Sequence, residues 1–314
     1  MAASVAARAD KNALYLIDSS IYVFRGWHTL PGSIVDAQGH PANAVHGFTD
    51  FLFQLISRRK PALIACAFDE SLTSSGRNRV YPDYKANRPP APEDLKRQFA
   101  HCKNFVRAAG ITALASREVE ADDIIGTLAG FAAEQNLASV IVSADKDLCQ
   151  FVGEHDAIWD YAKDTWLNAR LVEKRFGVRP AQLADLLAIC GDKVDNIPGV
   201  PGVGVATAAR LLIKWGNIDT LLLNIDKVAD MKFRGAPRVA GLLAEHADTI
   251  RLSRQLTGLW TAEPLDSDCR KLVIKPDYGA LDDMFEQLQM GTARRDKWRH
   301  LLDQTVTGEA LHGH

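Results

Sequence analysis

Residues 13–18 read ALYLID, an apolar run that stops on an aspartate, Asp18. Residues 63–69 repeat the pattern as LIACAFD, ending on Asp69, and residues 139–143 repeat it as SVIVS, with Asp145 two positions on. Short apolar runs of this kind suit buried strands. Between the first two, residues 44–57 carry apolar side chains at helical spacing (Val45, Phe48, Phe51, Leu52, Leu55, Ile56). Alternating strands and helices predict parallel βαβ units and an α/β fold. The carboxyl ends of such strands share one edge, where ligands bind, so Asp18, Asp69 and Asp145 should gather there. One strand-end aspartate is commonly a helix N-cap, but three at matching positions need another reason.

Composition narrows the function classes. The 314 residues can hold one large or two small domains. The hydrophobic fraction of 47% and charged fraction of 24% are those of an ordinary soluble protein. A net charge of −2 makes any nucleic-acid surface local rather than global. Five scattered cysteines without a CxxC pair point to a reducing compartment and away from structural zinc. No apolar run approaches the roughly 18 residues of a membrane span. Residues 1–11 lack a signal-peptide core and read as a loose tail. A cytoplasmic protein with no membrane partner is expected.

More acids sit at comparable places. Glu120, Asp122 and Asp123 open a helix that continues through Ile124, Ile125 and Leu128. The helix dipole favours acids there, yet three within four residues repel one another. Asp145 and Asp147 would point the same way on an extended segment, and Asp192 and Asp195 would share one face of a helical turn. Nine carboxylates on one edge raise each other's pKa, a conflict that hard dications such as Mg²⁺ or Mn²⁺ resolve. Enough ligands for two ions suggests in-line phosphodiester hydrolysis.

Two stretches suit nucleic acid. Residues 71–107 hold eight Lys and Arg against three Asp and Glu, a net +5, with Tyr81, Tyr84 and four prolines interleaved. Cations that follow a backbone and rings that stack on bases fit a single strand, and the prolines predict a mobile loop in the first half. Residues 191–212 (GDKVDNIPGVPGVGVATAARLL) place Asp192 and Asp195 beside a Gly/Pro hairpin that opens a helix, where backbone N–H groups favour a phosphate.

Together, LIDSS at Asp18, AFDE at Asp69, VEADD at residues 119–123, SADKD at residues 143–147, RNRVYPDYKANRPP from Arg77 and GDKVDNIPGVPGVG from Gly191 resemble the 5′-nuclease family. That family comprises the 5′→3′ exonuclease domain of bacterial DNA polymerase I and its phage and flap-endonuclease relatives. The likeness covers roughly residues 12–262 and implies a stand-alone member with no polymerase domain. It implies a PIN-like, mostly parallel sheet flanked by helices over residues 12–190, with a helical arch near residues 71–107. A helix-hairpin-helix subdomain over residues 191–258 and a C-terminal extension over residues 259–314 would follow.

By that resemblance one metal group is Asp18, Asp69, Glu120, Asp122 and Asp123, and the other is Asp145, Asp147, Asp192 and Asp195. Lys85 and Arg88 would reach the scissile phosphate from the arch, and Arg25, Arg77 and Tyr84 would contact the strand. Gly199, Gly202 and Gly204 would grip duplex backbone, with a K⁺ ion on the backbone near Val200 and Val203. One departure is Val205-Ala206 where relatives often carry Glu-Lys, which removes a phosphate contact. The implied function is a Mg²⁺- or Mn²⁺-dependent 5′→3′ exonuclease and flap endonuclease acting at the junction of a 5′ single strand and duplex DNA. The expected role is removal of primers and flaps by a monomer, beside a separate DNA polymerase I or ligase. The rivals are a non-catalytic DNA-binding protein using hairpin and arch, and a ribonuclease on a related acidic fold.

Overall fold

The three apolar runs are neighbouring parallel strands in the computed structural model, which describes residues 12–71, 75–261 and 265–310. The tail expected over residues 1–11 lies outside the described residues. β1 (Leu14–Asp18) has β2 (Leu63–Asp69) on one side and β4 (Ser139–Val142) on the other. β3 (Thr112–Ser116), β5 (Ala157–Asp160) and β6 (Thr165–Leu167) complete a six-stranded sheet in the order β3-β2-β1-β4-β5-β6. Only β6 is antiparallel. Ile17 lies level with Cys66 and Val142, so the carboxyl ends of the central strands reach one edge together.

Alternation along β1 feeds two cores. Tyr15 and Ile17 face a layer made by α1 (Ser19–Thr29), α2 (Asn43–Arg59) and, beyond the four-residue α3 (Arg77–Val80), α4 (Glu93–Ala108). Leu14 and Leu16 face the layer of α5 (Ala121–Glu134). α1 and α2 cross at Gly26 and Gly47, where a Cβ on Gly47 would stand 2.7 Å from the Gly26 Cα.

After α6 (Ala169–Phe176) the chain is helical. α7 (Leu183–Cys190) and α8 (Val205–Trp215) flank the hairpin. The short α9 (Ile218–Leu222) and α10 (Ile225–Val228) lead to α11 (Ala236–Glu245) and α12 (Ala247–Thr257), and α12 packs back on α7. The apolar periodicity of residues 239–256 is one run in the sequence, but the structure breaks it at His246.

The extension returns to the first layer. Lys275 donates its N–H to the Gly110 carbonyl and Asp277 to that of Ala108, at 2.9 and 3.0 Å. α13 (Tyr278–Gln287) and α14 (Thr292–Ala310) then cover α2 and α4, with Trp298 fully buried edge-on to Phe53 and Phe105. Among the described residues no helix is long and apolar enough to cross a membrane.

Candidate active site

The carboxyl edge of the sheet collects the expected aspartates, and hydroxyls hold them in place. Asp18 ends β1 with 4% exposure and accepts a 2.7 Å hydrogen bond from Ser143 Oγ, which in turn accepts from the Asp145 N–H at 2.9 Å. Asp69 donates its N–H to Ser20 Oγ, and its carboxylate takes the Ala121 N–H at the start of α5. Ser143 and Ser20 were not singled out in the sequence. Their signal is a hydroxyl directly after a strand, within two residues of an acid.

Burial, with neighbouring acids adding to it, raises the pKa of several of these carboxyls. Burial pushes the Asp18 carboxyl up to about 7, with Asp69 and Asp145 adding to the rise and the Ser143 hydrogen bond opposing it. Burial also raises Asp122 well above the ordinary range, followed by the charges of Asp145 and Asp18. Asp69 is raised by burial and by Glu120, against Lys85. Asp147 rises to about 7 through burial and then Asp145, with Lys146 opposing.

Amines cap the rest of the edge. Lys146 Nζ lies 2.6 Å from Asp192 and 3.3 Å from Asp147. Lys85 Nζ donates to Glu120 at 2.9 Å and lies 3.6 Å from Asp195, which Arg88 also contacts. Burial alone would depress the Lys85 ammonium, but Glu120, Tyr84 and Asp195 raise it well above its usual value. Lys85 and Arg88 thus stand over the carboxylates, where they can meet a phosphate. Beside them a cavity of about 430 Å³ is lined by Phe24, Trp27 and the run Pro89-Pro90, with Asp69, Glu120 and Lys85 also on its wall. An aromatic cavity with one charged end suits a nucleotide whose phosphate meets the acids.

Among the described residues no three Asp, Glu, His or Cys side chains are set together to hold one ion. Several of the acids are instead held in ion pairs: Asp192 by Lys146, Glu120 by Lys85 and Asp195 by Arg88. The chemistry of these acids still suits a hard dication, since every donor is an oxygen, and burial raises the pKa of Asp18, Asp69, Asp122 and Asp147 with neighbouring carboxylates adding to the rise.

Two local expectations fail. Asp192 and Asp195 lie not on a helical turn but in a tight loop closed by Asp192 and Ile197, and they meet different amines. Asp145 and Asp147 are not on extended backbone, since Asp147 starts a 3-10 turn and donates its N–H to Asp145.

The helical half supplies the hairpin. Val200 donates to the Ile189 carbonyl at 2.8 Å and Val203 to that of Val200 at 3.0 Å, forming a turn with Gly202 at φ +82°. Gly199 packs so tightly on Cys190 and Gly191 that a Cβ would lie 2.3 Å from the Gly191 nitrogen. Gly204 precedes α8 with open space around it.

A model of the 5′-3′ exonuclease N-terminal resolvase-like domain matches residues 13–177, and one of the 5′-3′ exonuclease C-terminal SAM fold matches residues 178–280. The chain is 36% identical to the 5′-3′ exonuclease of Aquifex aeolicus over 278 residues, covering 88% of this chain and 92% of that one. The chain belongs to the 5′-3′ exonuclease family. It is also 36% identical to DNA polymerase I of Pseudomonas aeruginosa across 95% of its own length, but it spans only 32% of that relative. In fold it is similar to T5 5′-exonuclease with bound zinc (TM-score 0.63, 16% identity, covering 94% of this chain and 98% of that one). It is likewise similar to the catalytic core of Rad2 with DNA substrate (TM-score 0.60, 13% identity, 95% and 93%).

For a member of this exonuclease family, three expected site residues border the site but turn to structural contacts. Asp123 is 1% exposed and grips Arg77 through both oxygens at 2.6 and 2.8 Å, while also accepting the N–H groups of Glu120 and Trp260. It is a helix-start brace rather than a metal ligand, and the Glu-x-x-Asp spacing of a capping box was its signal. Arg77 is spent in that pair and on the carbonyls of Leu256 and Gly258, so it does not face DNA. Tyr84 is 3% exposed and bonds Glu120 and Asp195 through its hydroxyl, so its ring is no stacking platform.

The basic segment from residue 75 onward is packed where a mobile loop was expected, and residues 72–74 of that expectation lie outside the described residues. Lys85, at φ +55°, donates its N–H to the Asp195 carbonyl, and Asn196 donates back to Asp83. Arg25 remains exposed on α1, at a second cavity of about 300 Å³ shared with Tyr22 and Tyr161. Lys146 was missed as an edge cation, although it sits between two of the predicted acids.

Proposed function

We propose that this chain is a divalent-cation-dependent, structure-specific 5′ nuclease that hydrolyses DNA phosphodiesters where a 5′ single strand meets duplex. One observation carries the reading: Lys85 and Arg88 pair with Glu120 and Asp195 beside an aromatic cavity whose wall also holds the strand-end Asp69. Asp18, Asp69, Glu120 and Asp122 would hold one dication, and Asp145, Asp147, Asp192 and Asp195 another. Bound there, such ions supply an activated water and neutralise charge at the scissile phosphate. Lys85 and Arg88 would donate to the phosphate oxygens as charge develops on them. Phe24 and Trp27 would hold the adjoining base, and Arg25 the strand beyond it. The hairpin at Gly199, Gly202 and Gly204 would receive duplex backbone, with K⁺ on the carbonyls near Val200 and Val203. Mg²⁺ or Mn²⁺ is the proposed metal. A cytoplasmic monomer working beside a DNA polymerase I or a ligase completes the proposal, since flap removal leaves a nick to be filled and sealed.

The test is a 5′-labelled flap on duplex DNA, incubated with Mg²⁺ or with chelator. Short labelled products should form only with Mg²⁺, and Asp145→Asn should bind the flap without cutting it. Cleavage that survives chelation, or wild-type turnover by Asp145→Asn, refutes the assignment.

A further inference from the structure

The first turn of the hairpin's own helix brings no charge to a phosphate. α8 opens Val205-Ala206-Thr207-Ala208, and Gly204 ahead of it has nothing within 4 Å of where a Cβ would lie. A cation arrives from elsewhere in the chain. Arg238, on α11, places its Nη2 3.1 Å from the position a Cβ would take on Gly202, at the tip of the turn. Residues 231–238 (MKFRGAPR) carry three cations and no acid, and Lys232, Arg234 and Arg238 are all exposed. Arg210, from the exposed side of α8, packs its guanidinium over the Phe233 ring at 5.3 Å, which brings a fourth cation to the group. Among the described residues none of the four has a carboxylate within ion-pair distance.

We propose that Arg238, supported by Arg210, Lys232 and Arg234, forms the cationic half of a duplex-backbone site whose other half is the hairpin tip. The inference rests on the nuclease reading and names residues that reading does not. Exposed cations without ion-pair partners set up a local positive potential that a phosphate satisfies. The first N–H groups of α8 have no intrahelical acceptor and favour an anion. A guanidinium beside them adds charge-assisted hydrogen bonds to the same phosphate oxygens. Such contacts position a duplex without reading its sequence. The segment bearing Lys85 and Arg88 would serve the single strand, so the two cation groups divide the substrate between them.

Fluorescence anisotropy tests this with a labelled blunt duplex and an unstructured single strand, in chelator, across a KCl series. Arg238→Ala should weaken duplex binding several-fold and lower the salt slope by about 0.9, the value for one lost phosphate contact. Arg238→Glu should weaken it further, and Arg238→Lys should retain most of the affinity. Single-strand affinity should not move in any variant. Arg238 is exposed, so matched melting curves are expected for all three. Duplex affinity and slope unchanged in both Arg238→Ala and Arg238→Glu overturn the proposal, as does equal loss on duplex and single strand. If the wild type cuts flaps while these variants bind normally, only this inference falls. If the wild type binds no DNA, the nuclease reading falls with it.

Discussion

Replacing Arg77 with alanine separates a structural brace from a DNA contact. The guanidinium makes two bonds to Asp123, one to the Leu256 carbonyl at 2.8 Å and one to that of Gly258 at 2.9 Å, with the Trp260 ring 5.1 Å away. Arg77 and Asp123 are 5% and 1% exposed, so solvent hardly screens the pair. Arg77→Ala leaves a buried carboxylate without its counter-charge, and breaking a buried pair in this way costs about 3–5 kcal/mol. At about 2–4 °C per kcal/mol, melting should fall by roughly 6–20 °C. Asp123→Asn keeps an oxygen for the N–H groups of Glu120 and Trp260 and should cost less. The double variant Arg77→Ala with Asp123→Asn should recover part of the loss, giving a coupling energy on the order of 2 kcal/mol in a double-mutant cycle. Circular dichroism melts measure stability, and anisotropy on flap DNA measures binding. If Arg77→Ala melts within about 2 °C of the wild type while flap affinity falls tenfold, the brace is wrong and the side chain serves DNA.

Lys85→Ala should slow single-turnover flap cleavage by at least about tenfold, the scale of a lost electrostatic donor to a reacting group; an unchanged rate removes Lys85 from the chemistry. His46 gives a pH dependence. Its Nε2 lies 2.8 Å from the Leu288 carbonyl and its Nδ1 3.2 Å from Arg294, which also pairs with Asp50. Burial and then Arg294 hold its pKa below the usual value, against the Leu288 carbonyl and Asp50. The unfolded chain then takes up the proton first, so this contribution is present above about pH 6.5 and fades as pH falls below it. Urea melts at pH 7.5 and 5.5 should show the loss, and His46→Gln should shrink it; an equal loss in the variant assigns the effect to other groups.

The sheet centre was legible because β1, β2 and β4 are dense apolar runs that end at or near acids, and α4 and α5 carry clear start signals. β3 was not, because TALAS is half-buried at the sheet edge and its alanines give no alternation. β5 and β6 are four and three residues long, too short for periodicity to register. In the site, the rows of acids marked the right edge, but sequence spacing does not say which oxygen faces inward. Asp123 turns into the protein because it is the third residue of α5 and meets Arg77. Tyr84 looks like a stacking ring in one dimension and is a buried hydrogen-bond donor in three. The docking of residues 81–88 on the loop of residues 192–197 joins segments more than a hundred positions apart, so no local pattern announces it.

Trp298 fills a gap between Phe53 and Phe105, and His46 reaches Leu288 across 242 positions. During synthesis the outer face of α2 and α4 therefore stays bare until residues 278–302 have been made and have left the ribosome. Closure over so long a separation is slow, and an open apolar face is an invitation to association in the meantime. α13 and α14 thus act as a late seal on the first layer, and yield during expression should depend on them more than the distance from the acids suggests.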